Sequence, residues 1–216
     1  MPRAGIFASA KVASGPPPVQ PFFALRSAWG QSGGVINRTV TIGPDDPNRK
    51  LVISLASQST VNFMWTTLLF DGIATGLVNR VYRNNRNRLW IYEIPWPTGS
   101  SVVITASHNG STNNLGAGVY TTLGSYVEGQ SASLALAPSV AMPLTLTGDA
   151  LVATSMGWAN STSPVWSGGP TEDAVGGTGT NRSSPASAIA AVDAPTITAT
   201  WAAAGQTPSV AVASYR

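Results

Sequence analysis

The hydrophobic positions of this chain fall into short runs that are separated by turn residues. Residues 51–55 (LVISL) form a continuous apolar run of strand length, which predicts a buried strand. Residues 196–201 (TITATW) alternate polar and apolar positions, which predicts a half-exposed strand. About eleven such segments occur, and none carries the 3.6-residue apolar stripe of a helix. The pattern therefore predicts an all-β protein built as an antiparallel β-sandwich.

Residues 77–94 predict a β-hairpin with a basic tip. Its arms, 77–82 and 89–94, are rich in β-branched and aromatic residues, and they bracket the polar sequence RNNRNR at 83–88. Turns or loops are predicted from their Gly, Pro, Asn, Ser and Asp content at 43–48, 71–72, 95–99, 108–114 and 158–184. The last of these is the longest irregular segment, and such loops are uncommon unless they are functional or mobile.

The first 21 residues lack this periodicity. Pro16, Pro17 and Pro18 impose an extended polyproline conformation, and Lys11 interrupts the short apolar patch before it resembles a signal peptide. We therefore predict an extended N-terminal arm over 1–21 and a single β-sandwich domain over 22–216. The arm is either a tail or a tether that orders against a neighbouring subunit. The absence of an internal repeat of fixed period disfavours a propeller or a β-helix.

Composition favours a protein that packs against other protein. Charged residues make up 10% of the chain, against roughly 25% in ordinary globular proteins. Residues 1–100 carry ten basic and four acidic residues, a net charge of +6, whereas residues 101–216 carry a net charge of −3. Such asymmetry is typical of an acidic or nucleic-acid partner, or of complementary edges in an assembly.

The residue types also limit the chemistry. The chain has no cysteine, which excludes disulfides, thiolate metal sites and a cysteine nucleophile. No apolar run approaches the roughly 18 residues of a membrane span, so no membrane partner is expected.

Several motifs occur in an order that carries a family resemblance. They are Phe70-Asp71-Gly72, Trp90-Ile91-Tyr92, Trp96-Pro97-Thr98-Gly99, Val102-Val103-Ile104-Thr105, Ala117-Gly118-Val119-Tyr120, Gly148-Asp149-Ala150-Leu151-Val152 and the closing segment 196–215. In this order the chain resembles a jelly-roll-like β-sandwich domain of structural proteins in tailed phages and related particles. The resemblance implies a virion protein without catalytic residues, either a head decoration, a spike or a tail-associated part. Its implied partners are the major capsid protein, other virion proteins and further copies of itself.

Candidate catalytic and metal-binding residues are few. The pairs Asp45-Asp46 and Glu172-Asp173 could offer oxygen ligands to calcium, but a solvated turn is the favoured interpretation of both. Glu93 and Glu128 are conceivable as a glycosidase pair, although nothing in their spacing requires it. His108 is the single histidine and lies in a polar loop sequence without a nucleophile elbow nearby. We therefore predict no enzymatic activity, no cofactor and no metal.

Arg80, Arg83, Arg86 and Arg88 are candidate docking residues. Bidentate arginines can pair with carboxylates of a neighbouring protein, which is the interpretation we favour in an assembly. A solvated hairpin tip is the second interpretation, and phosphate contacts with nucleic acid are the third. Together with Pro16, Pro17 and Pro18, these arginines are predicted to contact the capsid or sibling subunits, with no nucleic-acid partner.

Tryptophans near loops suggest an alternative function. Trp158 and Trp166 could stack on sugars, since jelly-roll lectins bind glycans and aromatic faces suit them. The competing interpretation is that each tryptophan anchors its loop to the sandwich. The alternative prediction is therefore a carbohydrate-binding, receptor-recognition module of a tail fibre or spike.

Overall fold

The computed structural model describes residues 22–31, 35–59, 65–73, 78–83, 87–108, 112–133, 139–143, 150–157, 164–174, 182–189, 196–201 and 208–216. These residues form sixteen β-strands. The first half of the molecule contains β1 (Phe23–Gln31), β2 (Ile36–Thr41), β3 (Lys50–Ser59), β4 (Trp65–Phe70), β5 (Val78–Arg83), β6 (Asn87–Pro95), β7 (Ser101–His108) and β8 (Thr112–Thr122). The second half contains β9 (Tyr126–Ser133), β10 (Ser139–Pro143), β11 (Ala150–Gly157), β12 (Val165–Ser167), β13 (Thr171–Glu172), β14 (Arg182–Ile189), β15 (Thr196–Thr200) and β16 (Ser209–Tyr215).

The strands form four antiparallel sheets. Sheet A has the order β1-β8-β3-β6-β5, and sheet B has the order β2-β7-β4. Sheet C has the order β13-β14-β11-β16-β9, and sheet D has the order β10-β15-β12. The described part of the chain contains no helix long and apolar enough to span a membrane.

The two halves have the same strand order. Numbering the strands of each half from one to eight, the five-stranded sheet reads 1-8-3-6-5 in both, and the three-stranded sheet reads 2-7-4 in both. In each half, strand one therefore pairs with eight, two with seven and three with six. The molecule is a duplicated architecture, although the sequence shows no repeat.

Hydrophobic layers between the sheets set the stacking order B, A, C, D. One buried cluster joins sheets A and B and includes Trp29, Phe70 and Trp90. A second joins sheets A and C, where the side chains of Tyr120 and Tyr215 lie among alanines and aliphatic residues. A third joins sheets C and D. Sheets A and C are therefore covered on both faces, whereas B and D each have one outer face.

This stacking explains the two kinds of strand pattern. Residues 51–57 of β3 and all seven residues of β16 are buried, because these strands lie in the doubly covered sheets. In β15 of outer sheet D, the buried residues Ile197 and Ala199 alternate with the more exposed Thr196, Thr198 and Thr200. Continuous and alternating apolar patterns thus mark inner and outer sheets respectively.

The all-β, antiparallel sandwich prediction is confirmed, with differences in detail. Over residues 22–216 the structure has two sandwiches that share a core, where the sequence predicts one. Residues 158–184, predicted to be irregular, include β12, β13 and the start of β14. The loop predicted at 108–114 is shorter, because β7 reaches His108 and β8 begins at Thr112. The arm over 1–21 lies outside the described residues.

Candidate functional site

The predicted basic hairpin is present in sheet A. β5 and β6 pair antiparallel, with Tyr82 opposite Trp90 and Arg83 opposite Leu89. Arg86 and the side chain of Arg83 lie outside the described residues. Two of the four candidate docking arginines can therefore be placed in detail.

Arg80 makes its contacts within the molecule. Its Nη2 donates a hydrogen bond to Glu93 Oε1 at 2.8 Å, and its Nε donates to Glu93 Oε2 at 3.3 Å. The Arg80 guanidinium carbon also lies 4.6 Å from the ring centroid of Tyr126 in β9. The hydrogen bond to Glu93 raises the pKa of Arg80, even though partial burial opposes this change. Arg80 thus links the first half to the second.

Arg88 is buried and does not lie on an exposed tip. Its residue is only 3% exposed, and its backbone is opposite Ser57 in the β3–β6 pair. Because a charged side chain is costly to bury, Arg88 has a fixed position within sheet A. The prediction of intermolecular docking therefore depends on Arg83 and Arg86, since Arg80 and Arg88 have positions within the fold.

The most heavily hydrogen-bonded side chain described is Arg49, which the sequence did not single out. Its guanidinium donates to five backbone carbonyls, those of Gly43, Pro44, Trp96, Thr98 and Gly99. These carbonyls belong to the two turns predicted at 43–48 and 95–99. Burial lowers the pKa of Arg49, and the nearby charges of Asp45 and Asp46 partly offset this effect. Arg49 thereby joins two turns at one end of the first sandwich.

A shallow cleft of about 250 Å³ lies beside Arg49. It is also lined by Lys50 and Ser125. The Lys50 ammonium donates to the Gly124 carbonyl at 3.0 Å and lies 4.0 Å from Glu93 Oε1. The charged groups of Arg49 and Lys50 beside this cleft therefore already bind groups within the protein.

Asp173 connects the two halves through hydroxyl groups. It accepts hydrogen bonds from Tyr120 at 2.9 Å and from Ser187 at 3.1 Å, one on each carboxylate oxygen. Tyr120 belongs to β8 of the first half and is fully buried, and burial raises its pKa. Burial likewise raises the pKa of Asp173, and the two hydrogen bonds oppose that change.

Glu172 makes a different set of contacts from its neighbour Asp173. Ser184 Oγ donates to Glu172 Oε2 at 2.7 Å and accepts a hydrogen bond from Trp166 Nε1 at 3.1 Å. Trp166 packs against the cluster between sheets C and D, whereas Tyr120, which binds Asp173, belongs to the cluster between sheets A and C. The two carboxylates therefore lie toward opposite faces of sheet C, and this excludes the pair as joint ligands of one calcium ion. The solvated-turn interpretation fails for Asp173, which is partly buried and bound by Tyr120 and Ser187, whereas Glu172 is exposed at the end of β13.

The remaining candidates whose side chains the structure describes form no composite site. Asp46 Oδ1 accepts a hydrogen bond from the Asn48 backbone at 2.8 Å, as the predicted turn requires. Glu93 is paired with Arg80. The side chain of His108 and the whole of Trp158 lie outside the described residues. Within the described ranges, no three His, Asp or Glu side chains are grouped so that they could hold a metal ion.

Comparisons of the chain with protein-family models, with curated proteins and with solved structures give no match.

Proposed function

We propose that this protein is a structural component of a phage-like virion, most plainly a head decoration or spike, that docks on the capsid and associates with copies of itself. The strand pairing of each half supports the jelly-roll part of this proposal. Pairs of strands one and eight, two and seven, and three and six follow from rolling up a long antiparallel hairpin, which is how an eight-stranded jelly roll is built. In a jelly roll, strands four and five also pair with each other. Here they lie in different sheets, and strand five pairs with strand six instead.

The observation that carries the proposal is the distribution of charge over the duplicated fold. Residues 101–125 contain no charged side chain, so the net charges of +6 and −3 divide between the chain up to β8 and the chain from β9 onward. The two parts of the chain therefore carry opposite net charge, although Arg49, Arg88 and Glu93 of the first part are buried and do not contribute to its surface. Opposite charges favour association between the first half of one copy and the second half of the next.

Sheet D supplies a second feature that suits assembly. Its exposed side chains within the described ranges are all uncharged, namely Ala141, Pro143, Val165, Ser167, Thr196 and Thr200. Val165 is 72% exposed. A face without charged groups has a low desolvation cost when another protein covers it.

The docking proposal is tested by adding the purified protein to particles that lack it. We expect the wild-type chain to bind, and we expect binding to fall when residues 1–21 are deleted or when Arg83 and Arg86 are both changed to Glu. Arg38→Glu is the charge-reversal control, because it reverses one arginine at an exposed position outside the hairpin, and it is compared with Arg83→Glu and Arg86→Glu made singly. Absence of wild-type binding, or full binding by both the deletion and the Arg83→Glu/Arg86→Glu variant, would contradict the proposal.

A further inference from the structure

We propose that Trp166 and Glu172, positioned by Ser184, form a binding subsite for a neutral saccharide. The inference is independent of capsid docking, because it concerns the edge of the second sandwich and not the arm or the basic hairpin.

A relay of two hydrogen bonds fixes the indole relative to the carboxylate. Trp166 Nε1 donates to Ser184 Oγ at 3.1 Å, and the Ser184 hydroxyl proton is then directed at Glu172 Oε2 at 2.7 Å. Ser184 is buried, Trp166 is partly buried and Glu172 is exposed. The relay thus runs from a buried hydroxyl to groups that solvent reaches, so a ligand can touch both Trp166 and Glu172.

The subsite lies where two sheet edges meet. Trp166 is in β12, an edge of sheet D, and Glu172 is in β13, an edge of sheet C. The turn between these strands contains Gly168 and Gly169, with φ of 84° and 113°. A Cβ at Gly168 would collide with the Thr196 carbonyl, so the turn packs directly on β15. The backbone on either side of the indole is therefore held by both sheets.

The chemistry of these groups selects the ligand class. The indole N–H is used by Ser184 and one side of Trp166 packs against the core of sheets C and D, so only the exposed part of its ring can contact the C–H face of a pyranose. Glu172 Oε1 accepts no hydrogen bond from the described residues, and a carboxylate oxygen accepts strongly from sugar hydroxyls. A negative charge at the site disfavours anionic sugars, which leaves neutral saccharides as the expected ligands.

The test measures binding of methyl glycosides of glucose, galactose, mannose and N-acetylglucosamine to the full chain by ligand-observed NMR, with sialyllactose as the anionic comparison. We expect at least one neutral glycoside to bind and sialyllactose to bind more weakly. Glu172→Gln should lower that affinity about tenfold, since it removes a charge-assisted hydrogen bond while keeping an acceptor. Trp166→Phe should lower it as well.

Two controls separate binding from folding. Trp96→Phe changes another partly buried tryptophan, which packs beside Phe70 on the first-half core, and should leave affinity unchanged. Asp45→Asn removes an exposed carboxylate elsewhere and should also leave it unchanged. If Trp166→Phe fails to fold, Glu172→Gln decides the question, because Glu172 is exposed. Failure of all neutral glycosides to bind the wild type, or unchanged binding in folded Glu172→Gln, would overturn the proposal.

Discussion

The Tyr120 hydroxyl donates a 2.9 Å hydrogen bond to Asp173 across the junction of the two sandwiches. Tyr120 comes from the last strand of the first half, and Asp173 follows β13 of the second. Around this bond the core between sheets A and C combines aromatic and aliphatic side chains with four alanines, Ala56, Ala150, Ala211 and Ala213. The Tyr120–Asp173 pair supplies a specific polar contact at this otherwise apolar layer.

The first prediction concerns pH. Burial raises the folded-state pKa of Asp173 above its ordinary value of 3.8, so the folded state favours the protonated carboxyl. The resulting stability is fully present below pH 3.8 and is lost as the pH rises through the folded-state pKa. Asp173→Asn cannot ionise, so the free energy of unfolding should fall less steeply with pH above 3.8 in this variant than in the wild type. Urea denaturation between pH 3 and 8 measures this, and an unchanged slope would disprove it. Asp45→Asn, in an exposed turn, is the control.

The second prediction concerns Arg49. Arg49→Lys keeps the charge but has a single nitrogen, which cannot serve five carbonyls, so several buried acceptors lose their partner. We expect the free energy of unfolding to fall by about 3 kcal/mol. Arg38→Lys, at an exposed site over the Trp29 ring, should cost less than about 1 kcal/mol. Equal losses in the two variants, measured by chemical denaturation, would contradict the role given to Arg49.

The third prediction concerns the Arg80–Glu93 pair. Arg80→Ala leaves the carboxylate of Glu93, which is 3% exposed, without its 2.8 Å partner, and we expect a loss of about 3 kcal/mol in the free energy of unfolding. Lys50 Nζ, 4.0 Å from Glu93 Oε1, compensates this buried charge only partly, so adding Glu93→Gln should make the double variant more stable than Arg80→Ala. A double-mutant cycle measures the coupling, and strictly additive effects would show that the two residues do not act as a pair.

The fourth prediction concerns Gly118. A Cβ at this position would overlap the Tyr120 ring, which lies across the glycine. Gly118→Ala should therefore displace Tyr120, disrupt its bond to Asp173 and cost about 2 kcal/mol. Tyr120→Phe removes the same bond without steric overlap. The pH slope of the Gly118→Ala variant should match that of Tyr120→Phe, and a slope like that of the wild type would argue against displacement.

Local strand patterns were predictable because they depend on residues that are close in sequence. The continuous run at 51–55 and the alternation at 196–201 correspond to an inner and an outer strand, as their periodicities predict. The turns at 43–48 and 95–99 were also predictable. The link that Arg49 makes between these two turns was not predictable. Arg49 binds backbone carbonyls, which any residue could supply, so no sequence motif marks them.

The candidate sites depended more strongly on tertiary structure. Trp166 could be singled out by its type, but its partners Ser184 and Glu172 become neighbours only when β12, β13 and β14 assemble. Arg88 was predicted at an exposed tip because of its polar neighbours, yet β6 includes it and sheet A buries it. Similarly, the sequence pairs Glu172 with Asp173, and the pleat of the backbone separates them.

The sequence by itself determined that the chain is all-β, where its apolar strands and tight turns lie, and how its charge is divided. These properties depend on local periodicity and composition. Tertiary structure alone decided that the strands form two halves of the same order, stacked as four sheets. Corresponding strands of the two halves need only bury an apolar face in the same place, and they need not share the same residues. Different side chains meet that requirement in each half, so the duplication leaves no repeat in the sequence.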